Sequence, residues 1–217
     1  MNFEDERKKL TEYISGFAVK SEKIKKAFIA VKRENFVTEN KEHSYEDTAM
    51  PIGFGQTISQ PSTIAIMLEL LNAKEGESIA EVGSGCGYTV ALLSHLVGEK
   101  GKVIGIEMLK ELAEKSKKNL KKEGIKNTLI INADASQGID ELCSKKFDKI
   151  LISCACPFVP KKIFDMLKED GRIVAPVGDA GTQVLEIMFK KDGKPFKKSY
   201  DGDIFTFVPM KSKIFDY

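Results

Sequence analysis

From residue 78 to residue 177, short apolar runs alternate with segments of helical pattern: SIAEV (78–82), TVALLSHLV (89–97), KVIGIE (102–107), KELAEKSKKNLKK (110–122), TLIIN (128–132), KILIS (149–153), PKKIFDMLK (160–168) and RIVAPV (172–177). Strands this continuously apolar have no wet face, and strands separated by helices are joined by crossovers rather than hairpins. The expected fold is therefore α/β, with a doubly wound, mostly parallel sheet covered on both faces. QVLEIMF (183–189) and DIFTFV (203–208) follow with a turn, KKDGKPF, but no helix between them. They are expected to form a C-terminal antiparallel strand pair.

Ahead of the alternation, residues 3–33 carry two helical patterns, one around Leu10, Tyr13 and Ile14, the other on Ile24, Ala27, Phe28 and Val31. They read as a small helical lead-in. Residues 34–61 show no period, and irregular stretches of this length in a compact domain usually carry function, so an ordered loop or short strands is expected. Pro61 suits the first turn of a helix, and Ile64, Met67, Leu68 and Leu71 then repeat at i, i+3, i+4 and i+7. One domain over residues 1–217 is expected, with the lead-in and active-site loop in 1–61 and the core in 62–217.

Composition removes several functions. Lys+Arg of 34 against Asp+Glu of 32 leaves +2, too balanced for a dedicated nucleic-acid or membrane surface. Only Arg7, Arg33 and Arg172 are arginines, and KSKKNLKK at 115–122 reads as a solvated helix face. The charged start MNFEDERKK lacks the core of a signal peptide, and no apolar run approaches the ~18 residues of a membrane span. A cytoplasmic monomer without nucleic-acid or membrane partners is expected. Cys86, Cys143, Cys154 and Cys156 show no framework spacing and read as reduced thiols. His43 and His95 complete no ligand motif with Cys154-x-Cys156, so no metal is expected.

The turn after the first core strand reads EVGSGCGYT. Gly83, Gly85 and Gly87 are spaced G-x-G-x-G, against the longer last gap of the dinucleotide fingerprint. Glu81, Glu107 and Asp134 fall at the ends of three successive strands, where a doubly wound sheet binds its ligands. Each acid alone is equally readable as a helix cap; three together read as one rim. Such a rim repels pyrophosphate and suits S-adenosylmethionine, whose sulfonium, ammonium, ribose hydroxyls and adenine amino group all pair with carboxylates. Glu81 with the loop Gly83, Ser84, Gly85 and Gly87 is assigned to the methionine portion. Glu107 goes to the ribose hydroxyls, Met108 to packing on the ring, and Asp134, with Ala135 beside it, to the adenine edge.

Ser59 lies in GFGQTISQP (53–61) with no base beside it, which a serine nucleophile needs. Two readings are open: a site serine of another kind, or a cap for the helix starting near Pro61. EVGSGCGYTVALLSHLVGEKGKVIGIE resembles the cofactor half of class I methyltransferases. Together, PIGFGQTISQP and ISCACPFVPKKIFDMLKEDGRIVAPVG resemble protein-L-isoaspartate O-methyltransferases, from about residue 10 to the C-terminus.

The resemblance implies methyl transfer from S-adenosylmethionine to the free carboxylate of L-isoaspartyl residues in damaged proteins or peptides, with S-adenosylhomocysteine as product and no metal. It implies Ser59 as the active-site serine, Gln56, Thr57 and Ile58 beside the cofactor, and peptide contacts near Val177, Gly178, Val208 and Pro209. A carboxylate acceptor, with a pKa of about 4, is already ionised and needs no base. Ser62 and Thr63 stand where the family has His or Tyr followed by Met, and Ala133-Asp134-Ala135 replaces its Gly-Asp-Gly. The glycine loop and acids alone equally suit a same-fold methyltransferase acting on a small molecule or RNA, or a module that only senses adenosylmethionine.

Overall fold

The structure is a computed structural model that describes residues 2–139, 146–179 and 181–215. Cys143 lies outside the described residues. Helices α1 (Phe3–Ser15) and α2 (Glu22–Ala30) form the lead-in, followed by a short antiparallel hairpin of β1 (Met50–Gly53) and β2 (Gln56–Ile58). Then come α3 (Pro61–Leu71), β3 (Ser78–Val82), α4 (Tyr88–Val97), β4 (Lys102–Glu107), α5 (Lys110–Lys122), β5 (Thr128–Asn132), β6 (Phe147–Ile152), α6 (Lys161–Asp165), β7 (Leu167–Asp179), β8 (Thr182–Lys191) and β9 (Lys194–Ser199).

Seven strands make the main sheet in the order β5-β4-β3-β6-β7-β8-β9. The first five in that order are parallel, and β8 and β9 extend the edge as an antiparallel hairpin. Because β3 to β5 step one way and β6 and β7 fill the other side of β3, the order reverses at β3/β6, where a crevice opens. Side chains alternate between faces as the pleat requires. Ile79, Val103, Leu151 and Val174 join a core built with α1 to α5. Their neighbours Ala80, Ile104, Ile150 and Ile173 join a second core with Ile163 and Phe164 of α6 and with Met210 and Phe215. Burial of each large aliphatic group contributes about 1.5–3 kcal/mol. Among the described residues no helix is long and apolar enough to cross a membrane.

The terminal antiparallel pair differs in detail from expectation. The strand that pairs with β8 is Lys194–Ser199, around a turn at Lys191–Lys194, not residues 203–208. Residues 203–208 meet β8 at Gln183, through the Gln183–Phe205 bridge and a bond from Phe207 N to Gln183 Oε1 (2.8 Å), without forming a strand along it; Pro209 then bridges to Ala155, carrying the chain across the end of the sheet.

Candidate functional site

The reversal point brings the three acids to one edge. Glu81, one residue from the end of β3, is 1% exposed, and Glu107, the last residue of β4, is 8% exposed. Asp134 follows β5 by two residues. Strand register sets Val82 opposite Ile106 and Glu107 opposite Asn132, so the ends are level.

Each carboxylate has its own surroundings. Glu107 Oε2 accepts from Gly85 N at 2.8 Å and Oε1 from Leu109 N at 2.9 Å, which fixes the carboxylate at the turn. Burial still pushes its carboxyl above the ordinary range, against those N–H groups and the charge of Lys211. Glu81 Oε1 accepts from Ser153 Oγ at 2.7 Å, while buried Oε2 has no partner. Burial, opposed by Ser153 and reinforced by the Glu107 charge, pushes its carboxyl up to about 8. Asp134 Oδ1 caps the turn of residues 135–137 through Ser136 N (2.9 Å) and Oγ (2.6 Å), and Oδ2 accepts from Lys213 N at 2.9 Å. It therefore acts as the cap that the sequence allowed, and also ties the C-terminal segment to the rim.

Two clefts share this edge. The larger, about 590 Å³ with open solvent included, is lined by Gln56, Thr57, Gly83, Gly85, Glu107, Met108, Asp134 and Ala135 among others. An inner cleft of about 290 Å³ is lined by Thr57, Ile58, Ser59, Glu81, Gly83, Ser84 and Gly85. The expected residues thus converge, with one exception. Gly87 lines neither cleft: its φ of 89° opens α4, and a Cβ there would run into Ser116 of α5, so it serves close helix packing.

The opposite wall is the β1–β2 hairpin. Its tip, Gly53-Phe54-Gly55, turns with φ of 96°, 56° and 69°. Ile52 Cδ1 lies 3.1 Å from where a Cβ on Gly85 would stand, so hairpin and glycine turn nearly touch. Lys115 of α5 donates to Ile52 O at 2.9 Å and Thr38 Oγ1 at 2.6 Å; this lysine of the presumed solvated face is a tether. Arg33, fully buried, donates from Nη2 to Ser59 O at 3.0 Å and Thr48 O at 3.3 Å.

Ser59 does not cap α3. The N-cap position is Gln60, and the free Ser62 N donates to Asp47 Oδ1 at 2.8 Å, while Gln60 Nε2 donates to Asp47 Oδ2 at 3.0 Å. The Ser59 hydroxyl therefore stays available to the clefts. Beyond it lies an outer groove, about 710 Å³ with open solvent included, lined by Ala49, Thr57, Ser59, Gln60, Thr63 and residues 204–208. Thr57 lines all three spaces, and Ser59 lines the outer groove and the inner cleft.

Sequence reasoning missed several contributors. Ile52, Ser153, Cys154, Met210 and Lys211 line the larger cleft, beside the expected peptide contacts Val208 and Pro209, which arrive from the far end of the chain. Val208 also lines the outer groove, whereas Val177 and Gly178 line none of the three spaces and sit in β7 beside Cys156. Cys86, Cys154 and Cys156 are free and buried; burial pushes the Cys86 thiol up to about 11. Among the described residues no group of three or more His, Cys, Asp or Glu could hold a metal.

The donor set fits a cationic cofactor. A buried, unpartnered Glu81 Oε2 stands beside a second carboxylate at Glu107 and an unpartnered Ser84 Oγ, an arrangement hostile to phosphates and completed by an ammonium or sulfonium.

A family model described as protein-L-isoaspartate(D-aspartate) O-methyltransferase matches residues 5–214. The chain is 40% identical over 214 residues to protein-L-isoaspartate O-methyltransferase 2 of Archaeoglobus fulgidus, covering 98% of this chain and 96% of that one. It is 37% identical over 195 residues to the Pyrococcus horikoshii enzyme of the same name, covering 88% and 86%. A Plasmodium falciparum structure bearing the family's name and solved with S-adenosyl-L-homocysteine superposes with a TM-score of 0.85 at 28% identity, covering 95% of this chain and 99% of that one.

Proposed function

The chain belongs to the protein-L-isoaspartate O-methyltransferase family, and on that premise we propose how its residues divide the work of the reaction. The enzyme transfers a methyl group from S-adenosylmethionine to the free carboxylate of L-isoaspartyl residues, the repair reaction of its family. S-adenosylmethionine supplies an electrophilic methyl on a positively charged sulfur.

Glu107 receives the ribose hydroxyls on a carboxylate already oriented by Gly85 and Leu109. Met108 and Ala135 flank the ring, and Asp134 holds the adenine end together with the C-terminal segment. Glu81, with Gly83, Ser84 and Gly85, receives the cationic methionine portion. Gln56, Thr57 and Ile58 close the hairpin side.

The acceptor is ionised at neutral pH, so the protein need not remove a proton. Ser59 donates to one carboxylate oxygen and aims the other at the methyl. Orientation of this kind is worth several kcal/mol, about 7–11 at the high end. Anion and cation give a neutral ester and a neutral sulfide, so exclusion of water by the hairpin favours the reaction.

The observation that carries this reading is that the outer groove and the two clefts at the acid rim share walls, with Thr57 lining all three and Ser59 lining both the groove and the inner cleft. No lysine or arginine lines the groove among the described residues, which suits a peptide better than a phosphate chain. We further propose that lead-in, hairpin and core act as one domain, since lead-in residues support the site directly.

The test is incubation with methyl-labelled S-adenosylmethionine and two peptides that differ only in an isoaspartyl or aspartyl linkage. Base-labile label on the isoaspartyl peptide alone is expected. Label on neither, or equally on both, overturns the proposal.

A further inference from the structure

Arg33 has the least accessible charge on the acceptor side of the site, at 0% exposure. Its Nη2 is committed to the carbonyls of Thr48 and Ser59, the two flanks of the hairpin. Its guanidinium lies 5.1 Å over the Tyr88 ring, and Tyr88 in turn lines the inner cleft with Ser59. Nε and Nη1 are buried without a hydrogen-bond partner, and no carboxylate lies within ion-pair distance among the described residues. Asp47, which acts on it at longer range, has both oxygens engaged by Ser62 N and Gln60.

Bracing two carbonyls is within reach of a neutral amide or a water. A buried guanidinium with no counter-charge is a costly way to do it, because desolvation of an ion is repaid only by an opposite charge nearby. The missing opposite charge is supplied by the reaction itself: the acceptor carboxylate arrives at Ser59, on the other side of the peptide group that Arg33 holds.

Resting on the function proposed above, we propose that Arg33 is a positioning residue for the acceptor carboxylate. Its fork fixes the Ser59 peptide group and so the direction of the hydroxyl; its charge draws the isoaspartyl anion to the inner cleft. The acid rim and the buried arginine then give the two reactants wells of opposite sign on opposite walls.

Arg33→Met keeps the volume and removes charge and fork, while Arg33→Lys keeps the charge alone. Arg33→Met is expected to hold S-adenosylhomocysteine within about twofold of the parent by calorimetry, and to raise KM for an isoaspartyl peptide about tenfold while kcat/KM falls about 100-fold. Arg33→Lys is expected to recover most of the KM effect but not kcat, a split that loss of stability alone does not produce. Added to Ser59→Ala, Arg33→Lys should cost no further kcat.

The inference is overturned if Arg33→Met keeps kcat/KM within about threefold, if both variants raise KM equally, or if affinity for S-adenosylhomocysteine worsens in step with KM. Should Arg33→Met fail to fold, additive kcat losses for Arg33→Lys and Ser59→Ala overturn it alone. A parent protein that labels no isoaspartyl peptide defeats the functional reading and this inference with it; an active parent with an indifferent Arg33→Met defeats the inference only.

Discussion

The two walls of the cleft are built on different principles. The donor wall is the end of a parallel sheet: Glu81 and Glu107 are placed by strand register, Glu107 also by the N–H groups of Gly85 and Leu109 and Glu81 by the Ser153 hydroxyl at the end of the adjacent strand β6. The acceptor wall is a tight hairpin whose carbonyls and flanks are held by Arg33 and Lys115, with Asp47 fixing the start of α3 just after it. Topology fixes the donor; a handful of long-range bonds fixes the acceptor. Damage to the second wall should therefore cut turnover while leaving donor affinity intact, and damage to the first should do the reverse.

The largest expected effect is on the acceptor wall. Ser59→Ala should lower kcat on an isoaspartyl peptide by about 10²–10³, the usual loss for one well-aimed donor, with unchanged affinity for S-adenosylhomocysteine and unchanged melting. Steady-state kinetics beside calorimetry checks this; loss of donor affinity as well would erase the distinction between the walls. On the donor wall, Glu107→Ala should weaken S-adenosylhomocysteine binding by about 10–100-fold, as expected for hydrogen bonds to a charged acceptor. Its kcat at saturating donor should stay within a few fold.

A pH effect sharpens the donor side further. Glu81 faces Ser153, Thr89 and the Glu107 charge, and without ligand it keeps its proton up to about pH 8. A bound cation favours the ionised form, so binding below that pH releases a proton. Affinity should rise with pH, by up to about tenfold per unit, and level off above about 8. Calorimetry in buffers of different ionisation enthalpy measures the proton, and Glu81→Gln should abolish both it and the slope. The smallest effect separates fold from chemistry on the acceptor wall. Asp47→Ala, which removes the cap of α3, should cost about 1 kcal/mol and lower Tm by about 2–4 °C. Ser59→Ala should do neither.

The same contrast explains what the sequence disclosed. Strand ends, the glycine turn and the start of α3 at Pro61 are local features, so periodicity and turn chemistry find them. The TIS segment was recognisable only as a pattern; the cap reading of Ser59 failed because Asp47, thirteen residues before Gln60, occupies the role from across the loop. Lys115 hid in a run of lysines, of which Lys122 likewise reaches back, to Asn35 Oδ1 at 2.9 Å, and Lys211 enters the cleft from the far end of the chain. At the sheet edge, β9 is KPFKKS, exposed throughout, and so carries no apolar alternation to betray it. The apolar DIFTFV looked more like a strand because Phe205 and Phe207 are buried, but they are buried while crossing the sheet end, not while pairing along it.

The claim that the donor sits on the acid wall and the acceptor is held by the hairpin is tested most directly by a crystal structure with S-adenosylhomocysteine and an isoaspartyl peptide bound together. The ribose hydroxyls are expected on Glu107 and the isoaspartyl carboxylate within hydrogen-bond distance of Ser59 Oγ, with the peptide lying in the groove beside residues 204–208. A peptide carboxylate seated on another wall, out of reach of Ser59, would contradict the account.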